Sequence, residues 1–181
     1  MPKPRKPQQR LNLALQGGGS HGALTWGVLD ALLEDGGLDF EGISGTSAGA
    51  MNAVAMAHGF AHAAQEFSDP QEARQAGAAL ARATLARLWE GVGAMGSLVW
   101  GVPQAQALPG LSMMTPWLAP AQANPFDFNP LRRLLEREID FARLSQPRKD
   151  GLQVFVCATN VRTGRGEIFS GARLSADAVM A

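Results

Sequence analysis

The sequence carries three histidines, His21, His58 and His62, and none after residue 62. A Ser-His-Asp hydrolase of the α/β type draws its histidine from late in the chain, so that relay is excluded. There is one cysteine, Cys157. No disulfide can form within the chain, which fits a reducing compartment and points to the cytoplasm. A catalytic cysteine would need a histidine partner and none is placed to serve, so Cys157 reads as a buried structural thiol. Net charge is zero, with 16 basic and 16 acidic residues. Nothing in that balance argues for nucleic acid. No run of eighteen apolar residues occurs, so no transmembrane helix is expected. Residues 1–10 lack the apolar core of a secretory signal. They are basic and proline-rich and read as a disordered tail, with contact to anionic lipid headgroups as the functional alternative.

Two glycine-rich motifs stand against these absences. The run Gly45-Thr46-Ser47-Ala48-Gly49 follows an apolar stretch and precedes an alanine-rich one. This is G-x-S-x-G in a strand-turn-helix context, the nucleophile elbow. A serine on so sharp a turn is forced into a strained backbone conformation. The residues two positions away on either side crowd each other and must be small. The hydroxyl of Ser47 is then exposed at the end of the sheet. The amide of Ala48 is left free at a helix N-terminus, where negative charge is favoured.

Upstream, Leu11 to Leu15 read as a short buried strand running into Gln16-Gly17-Gly18-Gly19-Ser20-His21-Gly22. A helical pattern follows, with Leu24, Trp26, Val28, Leu29, Leu32 and Leu33 on a broad apolar face. Three consecutive glycines bring the backbone close to a ligand and aim several amides at it. Beside an activated serine, the amides of Gly17, Gly18, Gly19 and Ala48 suit the oxyanion of a tetrahedral intermediate.

With both motifs in this order and separation, the chain resembles the patatin-like lipid acyl hydrolases. The stretch Val154 to Asn160, with Thr163-Gly164 and Ser175-Ala176-Asp177-Ala178, is also similar to bacterial members. The resemblance covers most of residues 11–181. It implies a three-layer α/β/α fold, a lipid or other acyl-ester substrate, and no metal or cofactor. It also implies peripheral contact with a membrane as a candidate partner surface. The implied machinery is a Ser-Asp dyad working through an acyl-enzyme, its aspartate in a downstream Asp-Gly-Gly or Asp-Gly-Ala. Asp35-Gly36-Gly37 precedes the nucleophile and reads as a helix end. Asp150-Gly151 lacks the third residue and reads as a turn. The chain ends within a helix begun by Ser175. The expectation is therefore the N-terminal part of a longer enzyme, with the aspartate beyond residue 181. The family often carries Arg or Lys near position 21, which makes His21 a candidate for holding the loop or meeting a headgroup.

The remaining elements alternate as an α/β fold with a mostly parallel sheet requires. A helix is expected over residues 71–90, then an apolar, lid-like insertion over about 91–128 holding Trp100, Met113, Met114, Trp117, Phe126 and Phe128. Asn129-Pro130 reads as N-cap and N1 of a helix, and Leu152 to Ala158 as a strand inside a parallel sheet. His58 and His62, four apart on one helix face, read as packed or solvated residues rather than metal ligands. The rival from another class is nucleotide binding: Gly17, Gly19 and Gly22 satisfy G-x-G-x-x-G, with Asp39 or Glu41 as the ribose acid. That acid should close the second strand, whereas both residues precede Ile43, and the rival leaves the Ser47 motif unexplained. A lipid-binding fragment without catalysis is the third alternative.

Overall fold

A computed structural model describes residues 9–100, 129–146 and 151–181, with backbone only at 9 and 96–100. The chain runs β1 (Gln9–Leu15), α1 (Gly22–Asp35), β2 (Leu38–Gly45), α2 (Ala48–Glu66), α3 (Pro70–Trp100), α4 (Pro130–Glu138), α5 (Phe141–Leu144), β3 (Gln153–Thr159), β4 (Gly166–Phe169) and α6 (Ala176–Met180). The sheet has the order β1-β2-β3-β4. β1, β2 and β3 are parallel, and β4 returns antiparallel to β3. This is the expected α/β arrangement: a mostly parallel sheet flanked by helices.

The first three strands lie side by side in chain order. Right-handed crossovers therefore place α1 and α2 on the same face. Val154 and Val156 of β3 point to that face and are buried with Ile43, Leu29, Leu33 and Val54. On the opposite face Ala14, Ser44 and Phe155 share one row of the sheet. Phe155 there is 39% exposed. The described helices thus supply one of the two expected outer layers. β1 was expected to be buried, but among the described residues it forms an edge, and Asn12 and Ala14 are exposed.

Helix α2 is the centre of the core. Residues Ala48 to Gly59 are all buried, which suits a helix apolar on every side. Its alanines let α3 approach closely, and Leu85, Leu88 and Trp89 of α3 are buried against it. Arg82 of α3 donates to both carboxylate oxygens of Asp30 on α1, at 2.8 and 3.1 Å. Helix α3 continues ten residues past the expected end at Glu90, into the segment read as an insertion. Gly91 lies inside this helix and makes room for α4, because a Cβ there would sit 2.7 Å from Leu134 Cδ1. The remainder of the expected lid, 101–128, lies outside the described residues, as do residues 1–8 of the tail read over 1–10, whose last two residues, Gln9 and Arg10, belong to β1.

Helix starts follow the sequence cues. Asn129 accepts from the Arg132 amide ahead of Pro130, and Ser175 accepts from the Ala178 amide. Gly36 closes α1 in the left-handed region at φ 64°.

Candidate active site

Leu15 and Gly45 end neighbouring strands in the same row of the sheet. The glycine loop and the serine turn therefore emerge together at the C-terminal end. A Cβ on Gly17 would stand 3.0 Å from the Thr46 carbonyl oxygen and 3.2 Å from Ser47 Cβ. The two turns touch, and a side chain at position 17 would press against the serine turn.

Ser47 has φ 51° and ψ −124°, and is the only non-glycine residue with positive φ among those described. It is exposed. The tightness of the turn is visible in its neighbours. A Cβ on Gly45 would lie 2.3 Å from the carbonyl carbon of Gly49, and one on Gly49 would lie 2.3 Å from the Leu15 carbonyl oxygen. Both small residues are therefore obligatory, though for different reasons. Gly45 makes room for the turn itself, and Gly49 makes room for β1. Among the described residues, the amides of Gly18, Gly19 and Ala48 donate to no protein acceptor, and the Ser47 hydroxyl has no partner. The loop is braced by His21, whose ring Nδ1 lies 3.2 Å from the Gly18 carbonyl oxygen. A carbonyl only accepts, so Nδ1 must carry the proton. His21 itself is exposed.

Sequence reasoning missed Asn52. It is fully buried in α2, one turn below Ser47. Its amide Nδ2 donates to the Gly22 carbonyl at 3.0 Å, and its Oδ1 accepts from the Trp89 indole at 2.7 Å. Gly22 ends the glycine loop, so Asn52 fastens that loop to the helix beginning at Ser47. The signal was present: Asn52 is the sole polar side chain between Ala48 and Ala57. Its partners stand 30 and 37 residues away, and only the fold brings them together.

No base stands at the elbow among the described residues. Asp35 lies at the far end of α1, where its carboxylate accepts from the Gly37 amide. Asp150 lies outside the described residues. His58 is buried lower on α2, where Nδ1 accepts from the Asp140 amide at 3.2 Å. Burial chiefly, with the charge of His62, 5.9 Å away ring to ring, pushes its pKa below the usual histidine value. Asp140 opposes the shift, while Arg143 and Arg87 reinforce it. A histidine whose folded pKa is lowered binds fewer protons folded than unfolded. Its contribution to stability is complete above the unfolded pKa of about 6.5 and is lost as pH falls through the lowered folded value. We expect thermal stability to decline as pH drops below about 6.5, by at most roughly 1.4 kcal/mol per pH unit from this group. His58→Gln should flatten that decline in melting curves taken across this range.

The nucleotide alternative fares badly in space. Asp39 lies at the start of β2, paired with Arg10 of β1, and Arg10 Nε lies 3.8 Å from its carboxylate. Arg10 to Leu15 spans five strand residues, roughly 17 Å. The acid is thus at the opposite end of the sheet from the glycine loop. A cleft of about 970 Å³, lined by Leu33, Phe40, Phe60, Ala78, Arg143 and Leu152 among others, also opens at that far end. It is remote from Ser47.

An α/β sheet with an exposed serine on a strained strand-to-helix turn, wedged against a glycine loop, defines a hydrolase-type protein. A family model, patatin-like phospholipase, matches residues 13–180. The chain belongs to that family, one of lipid acyl hydrolases. Comparison with curated proteins and with solved structures finds no match to the chain. Among the described residues, no helix is long and apolar enough to cross a membrane.

Proposed function

We propose that this protein is a serine lipid acyl hydrolase of the phospholipase A type, with Ser47 as nucleophile. The observation that carries the proposal is the closeness of Gly17 and Ser47: an exposed serine on a strained turn lies against a loop whose Gly18 and Gly19 amides are unpaired. The hydroxyl attacks the ester carbonyl of a lipid. The amides of Gly18, Gly19 and Ala48 receive the developing oxyanion, each donor contributing about 3–4 kcal/mol by analogy with single-donor deletions. Gly17 is the spacer that lets the loop lie against the serine. An aspartate from residues following 181 accepts the proton of Ser47, giving the dyad that the family implies. The acyl-enzyme is then released by water. A chain without that aspartate would bind lipid and not turn it over, because an unassisted serine is a weak nucleophile.

A fluorophosphonate probe tests the proposal. The full-length protein should become labelled at one site, mapped to the peptide containing Ser47, and labelling should fail in Ser47→Ala. Stabilisation by nucleotides without labelling would overturn it in favour of the binding alternative.

A further inference from the structure

Zero net charge conceals an uneven distribution. The carboxylates of Glu34, Asp35, Asp39, Glu66, Asp69 and Glu72 gather where α1 and α2 end and where β2 and α3 begin, at the end of the sheet away from Ser47. At the Ser47 end the β3–β4 hairpin, 160–165, carries Arg162 and Arg165. Both are exposed, and neither has an acidic partner among the described residues. Glu167, the acid of this hairpin, is taken by Arg173 at 2.9 Å. Val161, immediately before Arg162, is 96% exposed.

The hairpin overlooks the serine. Gly45 and Val156 are paired across β2 and β3. Asn160 comes four residues after Val156, so the turn stands roughly 13 Å beyond that row, one strand over from the elbow. It is also built to hold its shape. Asn160 Oδ1 accepts from the amides of Arg162 and Thr163 at 3.0 and 3.2 Å. The Asn160 amide donates to the Arg165 carbonyl, and its carbonyl accepts from the Gly164 amide, both at 2.8 Å. Gly164 takes the left-handed conformation the turn needs, at φ 67°. A valine held out in water on a rigid turn contributes nothing to the core. On one turn with Arg162 and Arg165, it has the composition of an interfacial contact: an apolar side chain to enter the acyl boundary and cations to meet phosphate. Leu24, 75% exposed in the first turn of α1, adds a second apolar residue at the same end of the sheet.

We propose that the β3–β4 hairpin, through Val161, Arg162 and Arg165, docks the Ser47 end of the protein onto an anionic lipid surface. This rests on the hydrolase reading only for why a lipid surface should be met at this end; docking itself is read without catalysis.

The test is co-sedimentation of the full-length protein with vesicles of phosphatidylcholine, alone or mixed with phosphatidylglycerol. Three forms are compared: Ser47→Ala alone; Ser47→Ala with Val161→Ser, Arg162→Gln and Arg165→Gln; and Ser47→Ala with Arg10→Gln at the opposite end of the sheet. Melting curves establish that each is folded. The first form should prefer the anionic vesicles, increasingly so at low salt. The hairpin variant should lose roughly 10- to 30-fold in affinity, the scale expected for two surface cations. Arg10→Gln should bind like the parent. No preference for anionic vesicles, undiminished binding by the hairpin variant, or an equal loss with Arg10→Gln would overturn the proposal. With Ser47 restored, the hairpin substitutions should lower the ratio of vesicle-lipid to soluble-ester hydrolysis by a similar factor. Should neither substrate be hydrolysed, the hydrolase reading fails while the binding result stands.

Discussion

Ser47→Gly is expected to raise the stability of the protein while abolishing ester hydrolysis. At φ 51° and ψ −124° the serine occupies a conformation that a Cβ disfavours. Such strain costs of order 1–3 kcal/mol and persists only where the surroundings enforce it. Here they do: Gly45 and Gly49 leave no alternative path for the chain between β2 and α2. Glycine relieves the strain and loses roughly 0.5–1 kcal/mol to the entropy of a freer unfolded chain. A net gain of about 1 kcal/mol remains, or roughly 2–4 °C in melting temperature for a domain of this size. Ser47→Ala keeps the Cβ and hence the strain, so its stability should match that of the parent. Both variants lack the hydroxyl. Hydrolysis should fall in each on the order of a million-fold, the scale of nucleophile deletions in serine hydrolases. Melting curves of the three proteins decide the structural half of the argument. A glycine variant no more stable than the alanine one would mean that the turn stores no strain.

That strain was legible before any coordinates, because G-x-S-x-G between an apolar run and an alanine-rich run admits few geometries. The helix caps at Asn129 and Ser175 were legible for a similar reason, since each is a local hydrogen bond between residues three apart. Features fixed at longer range were not. The helix expected to stop at Glu90 runs on to Trp100, and Gly91 within it is the gap into which Leu134 packs. Leu11 to Leu15 read as a short buried strand, and the strand's place at the edge of the described sheet exposes Asn12 and Ala14. The contact of Gly17 with Ser47 depends on β1 and β2 being neighbours in register, which spacing alone suggests but does not determine.

The second large effect concerns Asn52, where the cost follows from what is left behind. Asn52→Leu preserves approximate volume and suits the apolar surroundings of α2. It strands the Trp89 indole N–H and removes the bond to the Gly22 carbonyl, which as the first residue of α1 keeps its helical acceptor role. A buried donor left without a partner costs about 1–3 kcal/mol and a lost hydrogen bond about 0.5–1.5, so the variant should lose roughly 1.5–4.5 kcal/mol. That is a large share of a typical domain's 5–15 kcal/mol. No water can readily substitute, since the site is crowded: a Cβ on Gly22 would lie 2.6 Å from the Trp89 ring and 2.7 Å from Ala48 Cβ. The double variant Asn52→Leu/Trp89→Phe removes the stranded indole donor and should cost less than the two single losses added together. Urea midpoints of the four proteins measure that coupling. In the proposed enzyme the same bonds hold the glycine loop beside Ser47, so fluorophosphonate labelling of Asn52→Leu should slow at temperatures where the variant remains folded. Additive losses in stability, or an unchanged labelling rate, would show that Asn52 fills space without fastening the loop to the serine turn.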